Sequence, residues 1–325
     1  NVLLSGSAGQ FDFTRMFAHR TQMQARSNGV SLEFDTFGDP MSEPLLLISG
    51  LNTPMTRWTP EFCEQLSNHG FYVIRFDNRD CGLSSHFDGS ASVSSMRLLF
   101  NRVTGYPLKP AYTLLDMVDD AIGLLDAMGI KAAHIVGRSM GGMIGQLLAC
   151  QYPARTLSLA AIMSSTGNRR LPMPSVRVMK HLIVRKPRPE RDLEGYLKRR
   201  IAYTQAIGSP RFPFSPAYIR NRVLDDIKRC GFHPGAAKRQ FAALLAAGDI
   251  RPQIRKLQIR TLVIHGDSDA LVPLRCGIDI YRNIPGARLE IIKDMGHALQ
   301  PEFYDQLVNE IAAQRRGPVG QLSFM

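Results

Sequence analysis

No run of apolar residues approaches the roughly 18 that a membrane-spanning helix needs. The longest candidates, residues 157–163 and 241–247, are the size of a core strand or core helix. Cysteine is scarce too. Cys63, Cys81, Cys150, Cys230 and Cys276 are odd in number and have no Cys-x-x-Cys spacing, which argues against a zinc site and against a disulfide framework. A reducing, cytoplasmic setting is the simpler expectation. The sequence opens on Asn1 and not on Met, so removal of an N-terminal leader stays open. Internal repeats and low-complexity tracts are absent. So are zinc-finger spacing, an RNP-like aromatic motif and a basic heptad zipper, and no nucleic-acid partner is expected.

Acidic residues are the other deficit. The chain has 40 Lys and Arg against 28 Asp and Glu, a net charge of +12, and residues 165–260 alone hold 22 of the first group and 6 of the second. A basic stretch can attract nucleic acid, an anionic surface or an anionic substrate; a solvated, Arg-rich helical face is the plainer reading.

What the chain does have is length and apolar content. Its 325 residues, 44% hydrophobic, suffice for a large core in one big α/β domain or two small ones. Residues 23–25 and 32–37 read as strands joined by a Ser27-Asn28-Gly29 turn. The continuous apolar run 45–48 reads as a strand buried on both faces. Residues 60–69 have helical spacing and stop at Gly70. A strand is expected at 72–76 and an irregular excursion rich in Ser, Gly and Pro at 86–110. Helical periodicity returns at 114–128, with Leu114, Val118, Ile122 and Leu125 on one face. Strands follow at 132–137 and 156–163. Residues 166–250 break the alternation with helix-like pieces divided by prolines. It then resumes: strand 260–265, helix 275–283, strand 288–292, helix 302–314. Strands alternating with helices imply right-handed crossovers and a mostly parallel sheet covered on both faces. The long interruption then belongs over the carboxyl ends of the strands, where open α/β sheets bind ligands.

The sharpest local signal is Gly137-Arg138-Ser139-Met140-Gly141. It ends a β-prone run and starts a helix-like one. In that context a serine sits on a tight strand-to-helix turn with its hydroxyl pushed out of the sheet, and the helix N-terminus offers free N–H groups and partial positive charge beside it. A serine nucleophile needs a base, and the base needs a carboxylate to orient it. His297, in Gly296-His297-Ala298 after the last strand, is the expected base. His134 and His265 fall within or at the end of strands and are expected to pack or bond locally. The loop His265-Gly266-Asp267-Ser268-Asp269 offers two carboxylates. Asp269, further into the loop, is preferred as the orienter, and Asp267 as a turn-stiffening residue. Backbone N–H groups of Met140 and Leu51 are the expected oxyanion donors.

These motifs, with Asp77-x-Arg79-x-x-Gly82-x-Ser84 and Val272-Pro273, resemble the α/β-hydrolase superfamily, in particular its lid-bearing, cofactor-independent esterase branch. The resemblance runs from about residue 23 to 314 and includes features similar to the aclacinomycin methylesterase and proline iminopeptidase groups. It implies an eight-stranded, mostly parallel sheet with helices on both faces and a helical cap inserted after the sixth strand. The expected organisation is a loosely ordered leader (1–21), a core (22–165 and 251–316), a cap (166–250) and a tail (317–325). It implies no metal and no organic cofactor. Two departures stand out: Ser49-Gly50 replaces the frequent His-Gly, and Asp80 stands where glycine is common. Ser139 argues against the dehalogenases and epoxide hydrolases of this fold, which use an aspartate nucleophile.

The expected activity is hydrolysis of a small carboxylic ester with an apolar portion, through Ser139, His297 and Asp269. Leu182, Phe212 and Phe214 are candidate pocket residues within the cap. The same residues would serve amide, peptide or C–C bond hydrolysis, acyl transfer or perhydrolysis. A ligand-binding or receptor protein on the same fold is the rival outside catalysis, and docking of the basic insertion on an anionic surface is a third possibility.

Overall fold

The continuous apolar runs become the middle strands of one sheet, because only there are both faces covered. The computed structural model describes residues 23–90, 93–183 and 187–315; the leader 1–21 and the tail 317–325 lie outside them. The strands are β1 (Met23–Ser27), β2 (Val30–Phe37), β3 (Glu43–Ile48), β4 (Phe71–Phe76), β5 (Ala133–Arg138), β6 (Thr156–Ile162), β7 (Thr261–Gly266) and β8 (Arg288–Ile292). They line up in the order β1-β2-β4-β3-β5-β6-β7-β8. The β1–β2 and β2–β4 pairs are antiparallel and the rest parallel. The first two strands are joined through Asn28 and Gly29, both at positive φ, as a tight hairpin turn demands.

Helices fill the crossovers. They are α1 (Pro60–Asn68) after β3, α2 (Ser95–Thr104) and α3 (Leu114–Ala127) before β5, and α4 (Met140–Gln151) after it. Between β6 and β7 come α5 (Val176–Ile183), α6 (Leu193–Ile207), α7 (Pro216–Cys230), α8 (Ala236–Ala247) and the short α9 (Arg251–Ile254); α10 (Leu274–Asn283) and α11 (Tyr304–Ala312) complete the chain. The fold is therefore the α/β sheet that the alternation predicts, with a helical insertion after the sixth strand.

Alternation along each central strand divides the core in two. Leu46, Ile48, Ile135 and Val263 pack with residues of α3 and α4 on one face. Leu45, Leu47, Val136 and Ile264 pack with α1 and α11 on the other. In the parallel register Ile48 lies opposite Gly137 and Arg138 opposite Ile162, so the loop after β3 meets the turn after β5. Among the described residues no helix is long and apolar enough to cross a membrane.

One expectation needs correction. The stretch 86–110 is not irregular throughout, because it contains α2. Ser94 caps that helix by accepting from the Arg97 N–H, and Gly105 at φ 78° ends it. These cap residues supply the Ser and Gly that had suggested loop. The last helix also differs: a single turn of 3₁₀ helix precedes α11 and another follows it.

Candidate active site

Ser139 sits between β5 and α4 at φ 53° and ψ −121°, a backbone conformation rarely taken by a non-glycine residue and one that concentrates at functional turns. Two glycines make the turn possible. A Cβ on Gly137 would come 2.1 Å from the Gly141 carbonyl oxygen, and one on Gly141 would come 2.2 Å from the Ile48 carbonyl oxygen. Neither contact could relax by moving a side chain. Strand, helix and the neighbouring β3 therefore close on the serine from three sides.

The loops after β7 and β8 bring the other two side chains to it. His297 Nε2 lies 3.0 Å from Ser139 Oγ, and His297 Nδ1 lies 2.7 Å from Asp269 Oδ2. The remaining oxygen of Asp269 accepts from the Leu271 and Val272 N–H groups at 2.9 and 2.8 Å. That pins a buried carboxylate in one orientation, so Nδ1 of the ring donates and Nε2 is left to accept from the hydroxyl. The histidine loop is held from the insertion. Its N–H donates to the Ile207 carbonyl at 2.6 Å, and Gly296 has room for that approach only because it lacks a Cβ.

Asp267 is placed differently. Its carboxylate accepts from the Asp294 N–H at 2.8 Å and from Ser268 Oγ at 3.0 Å, stiffening the turn. His265 donates through Nε2 to the Val272 carbonyl at 2.8 Å, and burial holds its pKa below the ordinary value. His134 packs on Phe71 and bonds Ser158 and Glu43. Burial lowers its pKa too, with Glu43 opposing.

The loop after β3 lies directly beside the serine: a Cβ built on Gly50 would sit 3.2 Å from Ser139 Cβ. Met140 is the first residue of α4, so its N–H has no intrahelical partner. Leu51 follows Gly50, and its N–H has no hydrogen-bond partner among the described residues. Side chains to which the sequence reading gave no role of their own hold this loop. Asn78 Nδ2 donates to the Ser49 carbonyl at 3.0 Å, and Asp77 Oδ1 accepts from the Met55 N–H at 2.7 Å. Gln240, on α8 and fully buried, accepts from the Asn52 N–H at 2.6 Å and donates to the Arg79 carbonyl at 2.7 Å.

Its neighbour Arg239 explains the aspartate in a glycine position. Asp80, at φ 62° and buried, receives two 2.8 Å bonds from Arg239, one from Tyr112 Oη and one from the Phe87 N–H. Burial alone would raise the Asp80 pKa, but Arg239 and the other donors outweigh it and hold it low. The sequence cue was Asp80 itself; its partner lies 159 residues away, beyond any local pattern.

The proposed pocket residues are packed or exposed. Phe212 meets Phe303 edge-on at 5.6 Å, and Phe214 stacks on Tyr218 at 4.9 Å. Leu182 is 40% exposed on α5. None of these contacts brings the three residues against Ser139.

Sheet order, helical insertion and serine turn together define an α/β hydrolase. The model of the alpha/beta hydrolase family matches residues 45–310, and the chain belongs to that family. It is 30% identical over 306 residues to rhodomycin D methylesterase DauP of Streptomyces sp. (strain C5), covering 88% of this chain and 95% of that one. Rhodomycin D methylesterase DnrP of Streptomyces peucetius matches to the same extent. Among solved structures, the enol-lactonase of Burkholderia xenovorans LB400 superposes with a TM-score of 0.66 at 23% identity, over 91% of this chain and 100% of that chain.

Proposed function

We propose that this α/β hydrolase is a serine esterase that cleaves a small carboxylic ester through an acyl-enzyme. The observation that carries the reading is the unbroken chain from Ser139 Oγ to His297 to Asp269, at 3.0 and 2.7 Å. His297 Nε2 takes the hydroxyl proton as Ser139 attacks the carbonyl carbon. The Leu51 and Met140 N–H groups receive the oxyanion. Collapse breaks the ester C–O bond, and His297 returns the proton to the departing alcohol. Water then attacks the acyl-enzyme, giving its proton to His297, and the acid leaves with Ser139 restored. Asp269 stays ionised and fixes the ring. The resemblance to two methylesterases supports an ester, with methyl esters the first to test.

The test is turnover of a panel of methyl and p-nitrophenyl esters, with one amide and one peptide included. The expected result is ester turnover that Ser139→Ala abolishes while the far-UV circular dichroism is unchanged. Full activity in the folded variant would remove the assignment.

A further inference from the structure

Among the described residues the well-enclosed arginines typically hold a carboxylate. Arg75 grips Asp35, Arg79 grips Asp120 and Arg239 grips Asp80, each through two bonds, and Arg229 meets Asp77 at 2.8 Å. Two arginines break this pattern, and one of them, Arg138, is the residue before the candidate nucleophile. Arg138 lays its guanidinium over the Trp58 ring, 5.4 Å from the centroid. Arg222, on α7, donates to the Thr56 carbonyl at 2.7 Å and lies 5.9 Å from the Tyr218 ring centroid. Neither makes an ion pair with a carboxylate among the described residues. Arg57, from the same loop as Thr56 and Trp58, pairs with Asp226. Among the described residues that is the one carboxylate paired within this group of three guanidiniums.

The three cations act on one another. Burial first, then Arg57 and Arg222, push the Arg138 guanidinium down to about 10, and burial and Arg57 lower Arg222 as well. All three are half-buried, enclosed enough for unpaired charge to be costly. Arg138 directly precedes Ser139, so the two Cα atoms are about 3.8 Å apart. A planar guanidinium stacked on an indole is already oriented to receive a carboxylate.

We propose that Arg138 and Arg222, with Arg57 beside them, form a carboxylate subsite next to Ser139, so that the preferred ester carries a second, free carboxylate. The proposal rests on the esterase reading and specifies its substrate class. The free carboxylate can belong to the acyl chain or to the alcohol, and the test separates the two.

Two matched pairs suffice, followed by pH-stat or chromatography: monomethyl glutarate against methyl pentanoate, and 4-acetoxybenzoate against 4-acetoxybenzamide. In at least one pair the anionic ester should have the higher kcat/KM by about tenfold or more, and added salt should shrink the ratio. Arg138→Met and Arg222→Met should each lower that ratio, which is unaffected by the fraction of folded enzyme. Calorimetry supplies a readout independent of turnover: glutarate should bind the Ser139→Ala protein, and more weakly when Arg138→Met is added. Equal or better turnover of the neutral member in both pairs, with no glutarate binding, would overturn the subsite while leaving the esterase intact. Glutarate binding without any ester turnover would count against the esterase reading alone.

Discussion

Gln240→Met removes two hydrogen bonds at nearly constant volume and probes how the insertion holds the loop beside Ser139. The amide is fully buried and spans from the Asn52 N–H to the Arg79 carbonyl. Asn52 is exposed, so water can take over its N–H cheaply. Arg79 is buried, and its carbonyl bears most of the loss, about 1–3 kcal/mol. A fall of several degrees in Tm follows for a chain of this size. The catalytic consequence is separate. Asn52 is the next residue after Leu51, whose N–H is proposed to receive the oxyanion. Complete loss of one such donor costs roughly 10²–10³ in kcat. Partial drift of the loop should cost about 10-fold to 100-fold, with KM changed much less, because the donor acts on the transition state. Steady-state kinetics on a p-nitrophenyl ester and a thermal melt read the two effects independently. A lower Tm with unchanged kcat would mean that Gln240 only joins the insertion to the core, and the positioning argument would fail.

Three further outcomes are expected. Asp269→Asn keeps the shape of the loop but allows the wrong imidazole tautomer, and kcat should fall by roughly 10⁴; a loss under tenfold in kinetic assays would refute the orienting role. Arg239→Met strands the buried Asp80 carboxylate and should destabilise the protein by about 3–5 kcal/mol, measured by urea unfolding. His134 and His265 have folded pKa values held below 6.5 by burial. Their contribution to stability is therefore complete above pH 6.5 and is lost as pH falls towards the folded values. Melts between pH 8 and 5 should show Tm falling on the acid side, and a rising Tm there would contradict the sign.

Much of the fold was legible because it depends on local signals. Continuous apolar runs marked β3 and β7, the Asn28-Gly29 pair marked the hairpin, and the Gly137 and Gly141 spacing marked a turn that no other residue could close. Ser139, Asp269 and His297 each follow a readable strand, so the chain positions from which they could meet were available before any geometry. What stayed hidden is what depends on long-range pairing. Gln240 looks like any polar residue on a basic helix until Asn52 and Arg79 are found at its two ends. Asp80 reads as an anomaly until Arg239 arrives from another part of the chain. Arg138 reads only as part of the serine turn until Trp58 is seen beneath it, with no carboxylate paired to it among the described residues. The helix α2 was missed for a local reason, since its own caps imitate a loop. Phe212 and Phe214 show contacts that no local pattern announces: Phe212 packs on Phe303 of the core and Phe214 on Tyr218.

The central claim is that Ser139 is the nucleophile activated by His297. Its most direct test is labelling of the intact protein with a fluorophosphonate, followed by peptide mass mapping and residual activity on an ester. The account predicts one label per chain, confined to Ser139, with activity lost in the same proportion, and labelling strongly slowed in His297→Ala. Label on another residue, or full ester turnover after Ser139 is blocked, would contradict it.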